Sequence, residues 1–113
     1  MNRDRMFICH IRDEIEFLSD ATASLTYEKL DNDKAIQHIV QKSLEIIGEA
    51  SKNVSPEMKA EYPEIHWSVI GKMRDRLTHG YFDVSWDIVW NVLNDDIPSL
   101  KSGISAIITD KEW

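Results

Sequence analysis

Arg74, Asp75, His79 and Tyr81 fall inside the ten-residue run Met73-Arg74-Asp75-Arg76-Leu77-Thr78-His79-Gly80-Tyr81-Phe82. Arginine is a permanent, planar cation that fits phosphate. Histidine is the side chain whose ordinary pKa, about 6.5, lets it give and take protons near neutrality. Together they meet the needs of phosphodiester cleavage without a metal: a general base for a ribose 2′-hydroxyl, and a cation for the charge that builds on phosphorus.

Spacing decides how these groups can cooperate. Arg74 and His79 are five apart, so on a regular helix they point about 140° from each other and are poor partners within one chain. Asp75 and His79 are four apart, within about 40° of one face, so Asp75 can orient the imidazole. Arg76 of another chain is an alternative partner for Asp75. Two copies of this helix facing across a two-fold axis would bring two arginines and two histidines into one groove, which makes a symmetric dimer the economical arrangement. Taken alone, an Arg and a His near a helix C-terminus also fit a surface pair interacting with the helix dipole, and Tyr81 fits a ring packed on the helix end.

The elements that must position these residues read as helices. Ile8, Ile11, Ile15 and Leu18 recur at spacings of three, four and three, which predicts a helix over about Asp4 to Leu25. The segment Thr26 to Asp33 holds no apolar stripe and offers Asp and Asn as N-caps to a second helix. That second helix is marked by Ile36, Ile39, Val40, Ser43, Ile46, Ile47, Ala50 and Val54, and Gly48 inside it points to close approach of another helix. Ser55-Pro56-Glu57 reads as an N-cap, a proline at the first helical position and an acidic first turn, opening a short helix that ends before Pro63.

Trp67, Ile70, Met73 and Leu77 define the third long helix, which carries the Arg/His run and is expected to stop at a Gly80 cap. Trp86, Val89, Leu93, Ile97, Leu100, Ile104 and Ile107 define the last, with a kink expected near residues 94–98 because Pro98 lacks a donor and crowds the Asn94 carbonyl. Only Ile104 to Thr109 offers a competing short strand. The expected fold is all-α: an up-and-down bundle of four long helices and one short one, in a single domain over 1–113.

Composition narrows the function classes. With 42% hydrophobic and 29% charged residues the chain reads as globular rather than disordered. A net charge of −7 argues against broad, non-specific nucleic-acid binding, while Lys72, Arg74 and Arg76 keep a focused cationic site open. The single cysteine, Cys9, excludes an internal disulfide and is expected to be a buried thiol, and no apolar run reaches the length of a signal peptide or membrane span. The expectation is a cytoplasmic protein without membrane contact.

Other candidates are weaker. His10 and His38 lie beside apolar stripes and read as packed or half-exposed, and His66 reads as a capping or surface residue. HxxxH, HExxH and CxxC patterns and a glycine-rich phosphate loop are all missing, so no metal and no cofactor is expected. Trp67, Trp86 and Trp90 fit core or dimer positions.

Beyond the Arg/His pair, an ordered set of segments resembles the HepT family of HEPN-domain toxins along essentially the whole chain. The segments are Leu44-Glu45-Ile46-Ile47-Gly48-Glu49-Ala50-Ser51, Tyr62-Pro63-Glu64-Ile65-His66-Trp67, Met73 to Phe82, Ile88-Val89-Trp90 and Asn94-Asp95-Asp96-Ile97-Pro98-Ser99-Leu100. The family's signature of an Arg, a polar residue, a His after four intervening residues and a Tyr two further on is met by Arg74, Asp75, His79 and Tyr81. An acidic residue at the polar position is a departure, because Asp75 repels phosphate.

The resemblance implies an α-helical homodimer whose paired motifs form a metal-independent ribonuclease site. It also implies a two-gene toxin–antitoxin system in which a minimal nucleotidyltransferase antitoxin silences the toxin by moving AMP onto Tyr81. RNA, whether tRNA or mRNA, would be the substrate, and the toxin and antitoxin could form a larger complex. The competing class is a non-catalytic helical adaptor that binds a nucleotide or a nucleotidyltransferase.

Overall fold

The two longest helices are built on the stripes that the sequence marks. In the computed structural model, which describes residues 3–79 and 85–113 and gives only the backbone of Thr78 and His79, α1 (Arg3–Ala21) buries Ile8, Ile11, Ile15 and Leu18. The third helix, α3 (Lys34–Lys52), buries Val40, Leu44, Ile47 and Ala50. Asp33 caps it, its Oδ1 accepting from the N–H groups of Ala35 at 3.0 Å and Ile36 at 3.2 Å.

The chain departs from expectation between these two. α1 stops at Ala21 rather than Leu25, where the Thr22 hydroxyl donates to Leu18 O at 2.8 Å and competes with the helix ladder. Thr26 to Asp33 is more than a cap: Tyr27–Asn32 forms a short helix, α2, capped by Thr26 Oγ1 and anchored by a fully buried Leu30. At six residues it is too short to show a period.

α4 (Pro56–Glu61) starts at the expected Ser55 cap, which is itself tied to α1: Ser55 N–H and Oγ donate to the two Asp4 carboxylate oxygens at 2.8 and 2.6 Å. α5 (Trp67–His79) follows, with Trp67, Ile70 and Leu77 buried and Met73 packed at the core edge. Gly80, the expected cap, lies outside the described residues. The last helical segment is divided into α6 (Trp86–Asn91), a π turn over Val92–Asp96 and α7 (Ile97–Lys111).

The interruption has the cause that the sequence suggests. Pro98 cannot donate to Asn94 O, and the preceding turn widens so that Ile97 N–H reaches Val92 O, five residues back. Pro98 then sits in the first turn of α7, where no donor is missed. Ile104 to Thr109 is helical, not a strand, and the described residues contain no strand. The long helices are thus α1, α3, α5 and α7, as expected for an all-α bundle; the short ones are α2, α4 and α6, where one was expected.

α3 is the central helix. It packs on α1 along one side and on α5 along the other, while α1 also meets α7. Ile65, just ahead of α5, presses on α7 at Gly103, where an added Cβ would come within 2.6 Å of Ile65 Cγ1. Tyr62 Oη donates to Asp110, which ties α4 to the end of α7. No helix among the described residues is long and apolar enough to cross a membrane.

Neighbouring isoleucines on α3 test this packing. Ile47 is fully buried whereas Ile46 is 38% exposed. Ile47→Ala should cost about 2–5 kcal/mol of unfolding free energy in urea titrations, and Ile46→Ala less than about 1 kcal/mol.

Candidate active site around Arg74

Arg74 sits where α5 lies tightly on α3. A Cβ placed on Gly48 would fall 2.2 Å from Arg74 Cβ, 2.9 Å from its Cγ and 3.2 Å from Ile70 O. The first two distances are shorter than a Cβ can approach and the third is tight, so only glycine allows α5 to lie this close. The close approach read into Gly48 is present, and the residue it accommodates is Arg74.

The guanidinium is held on two edges. Arg74 Nη2 meets Glu49 Oε2 at 2.9 Å, and Arg74 Nη1 meets Asp75 Oδ1 at 3.2 Å. The same Asp75 oxygen accepts from Lys52 Nζ at 2.9 Å. Lys52 first, and Arg74 second, therefore hold the Asp75 carboxyl below the usual carboxylate range. The Arg74 side chain keeps a quarter of its surface in solvent.

From Arg74 an open groove of about 600 Å³ runs between α1 and α3. Phe7, His10, Asp13, Lys42, Ile46 and Glu49 are among its walls. The groove is mixed in charge, with cations at Arg74 and Lys42 among the carboxylates of Asp13, Glu14, Glu45 and Glu49. Two apolar residues on its side of α3, Ile39 and Ile46, are exposed and stand one heptad apart.

The candidate residues are placed as follows. Arg74 and Asp75 face α3, and Asp75 contacts Lys52 and Arg74 within the chain. The His79 backbone ends α5, while its side chain and the whole of Tyr81 lie outside the described residues. His10 and His38 are exposed rather than packed, and Cys9 is half-buried rather than buried, because α1 and α3 turn those faces to solvent. His66 is exposed, with its carbonyl accepting from Val69 and Ile70 N–H at the start of α5. Trp67 is a core residue whose Nε1 donates to Tyr62 O, and Trp86 and Trp90 pack partly buried against the core. No cluster of three His, Cys, Asp or Glu side chains among the described residues is arranged to hold a metal ion.

Glu49 and Lys52 were not legible as site residues. They lie 23 to 25 positions before the residues they bind, and surface charges one turn apart on a helix look alike until the partner helix is placed.

An all-α bundle with an arginine clamped in a helix–helix contact beside an open groove defines a class, and comparison with known proteins gives the particular family. A family model described as "Ribonuclease HepT-like" matches residues 11–107, and the chain belongs to that family. A relative from Thermococcus cleftensis named "Probable ribonuclease HepT" is 43% identical over 80% of this chain and 83% of its own. A relative from Caldanaerobacter subterraneus, named as a candidate RNase, is 34% identical over 96% of both chains. One from Methanocaldococcus jannaschii, also named as a candidate RNase, is 33% identical over 96% of this chain and 89% of its own. No solved structure matches.

Two outcomes follow from the geometry. Gly48→Ala should destabilise the fold by about 1–3 kcal/mol, read by thermal unfolding, since α5 must move off α3. The stabilisation from the Asp75 pairs is present above the unfolded carboxylate value of about 3.9 and is lost as pH falls through the lower folded value. An NMR titration should accordingly find the Asp75 midpoint depressed in the wild type and raised in Lys52→Met.

Proposed function

We propose that this chain is the toxin of a two-gene toxin–antitoxin system: an endoribonuclease that needs no metal, acts as a homodimer and is silenced by AMP transfer to Tyr81. The single observation that carries the reading is the placement of Arg74. It is fixed by helix packing, partly open to solvent and set at the end of a groove, within a chain of the HepT-like ribonuclease family.

Neutral His79 takes the proton of an RNA 2′-hydroxyl, and the 2′ oxygen attacks the adjacent phosphorus. Arg74 stabilises the charge on the phosphorane. The P–O5′ bond then breaks, the 5′ oxygen takes up a proton, and the products are a 2′,3′-cyclic phosphate and a 5′-hydroxyl. The nucleophile belongs to the substrate, so DNA is inert.

Because Arg74 and His79 diverge on one helix, the site is completed by a second copy. The exposed Ile39 and Ile46, on the groove side of α3, support a second chain docking there. Silencing has an equally simple basis: the Tyr81 oxygen displaces pyrophosphate from a nucleoside triphosphate, and the AMP it gains adds negative charge and bulk to the motif.

Net charge −7 and the pairing of Arg74 by two carboxylates favour a second reading, in which the chain is an adaptor that binds a nucleotidyltransferase without cleaving RNA. The two readings separate on total cellular RNA incubated with the protein in EDTA. The ribonuclease produces cyclic-phosphate ends, and His79→Ala and Arg74→Ala each slow it by about a hundredfold or more with unchanged melting temperature. Tyr81→Phe should keep cleavage and refuse AMP. Partner binding with no RNA cleavage by unmodified dimeric protein would instead select the adaptor.

A further inference from the structure

Resting on the ribonuclease reading, we propose that Lys52 is a positioning residue for this site: it shares the charge of Asp75 and so leaves the guanidinium of Arg74 less neutralised for the substrate's phosphate.

Four charged groups meet at the α3–α5 contact: Glu49 and Lys52 from α3, Arg74 and Asp75 from α5. Their formal charges cancel. One Asp75 oxygen serves both cations, at 2.9 Å from Lys52 Nζ and 3.2 Å from Arg74 Nη1. The shorter contact belongs to the lysine.

The lysine is directed there by its stem as well as by its charge. A Cβ on Gly71 would lie 3.2 Å from Lys52 Cγ and 3.6 Å from its Cδ, so the stem crosses α5 over a residue that leaves room for it. Gly71 and Asp75 are four apart and share one face of α5. Lys52 therefore runs along that face and ends on the carboxylate one turn further on.

Removing Lys52 would leave Arg74 flanked by two carboxylates and no other cation of the group. An incoming phosphate would then meet a net negative cluster, and binding would suffer before chemistry does. Lys52 is thus the group that makes an acidic residue tolerable beside the phosphate-binding arginine.

The test is a double-mutant cycle on total cellular RNA in EDTA, with the initial rate of cyclic-phosphate formation followed against RNA concentration. Lys52→Met should raise the apparent KM about tenfold, leave kcat within about threefold and barely move the melting temperature, since the Lys52 side chain is 43% exposed. Lys52→Arg should restore most of the KM. With Asp75→Asn as the reference, adding Lys52→Met should change KM by less than about twofold. An equal penalty in both backgrounds would show Lys52 acting on RNA directly, and no penalty in either would show it idle; each overturns the inference while wild-type cleavage stands. No cleavage by the wild type would instead overturn the ribonuclease reading on which it rests.

Discussion

The approach of α5 to α3 at Gly48 is the constraint on which the rest of the site depends. An alanine there would push against Arg74 Cβ and Ile70 O, so the arginine's location is a property of backbone packing before it is one of charge. Around that contact, α1 closes the other side of α3 with Ile8, Ile11, Ile15 and Leu18, and α7 closes over α1. A cation built on two packed helices is held more accurately than one on a loop, which matters for the proposed phosphate-binding role because misplacement of about 1 Å costs large factors in rate.

Charge then decides how the arginine can be used. Glu49 and Asp75 fix the guanidinium plane, and Lys52 draws on Asp75. The four groups are exposed enough that each pair contributes little to folding stability. Their value lies in orientation: a planar fork held at two edges presents its remaining donors in a defined direction. An acidic chain can in this way keep one cation in register for phosphate without a broad basic surface, at odds with indiscriminate binding of nucleic acid and in keeping with a selective substrate.

Much of this was legible from residue types alone. Four buried side chains of α1, the Ser55-Pro56 start of α4, the interruption before Pro98 and the contact at Gly48 all rest on local rules of period, capping and backbone freedom. The family signature was legible too, because its residues lie within eight positions of the sequence. What escaped was non-local or too short. α2 spans under two turns, so no stripe marks it. Ile39 and Ile46 share the period of the buried residues on α3 yet stand outside the core, since a periodic pattern cannot say where a neighbouring helix ends. Glu49 and Lys52 belong to a solvated face until α5 is laid against it.

The proposed composite site is tested most directly by mixing inactive chains. Arg74→Ala and His79→Ala proteins, unfolded and refolded together so that their dimers reassort, would be assayed for RNA cleavage in EDTA beside each variant refolded alone. A site shared between two copies predicts that the mixture recovers a substantial part of wild-type activity while each variant alone stays inactive, because the mixed dimer retains one Arg74 and one His79 on opposite chains. A mixture as inactive as its components, with mixed dimers present, would contradict the account and place both groups of each site in one chain.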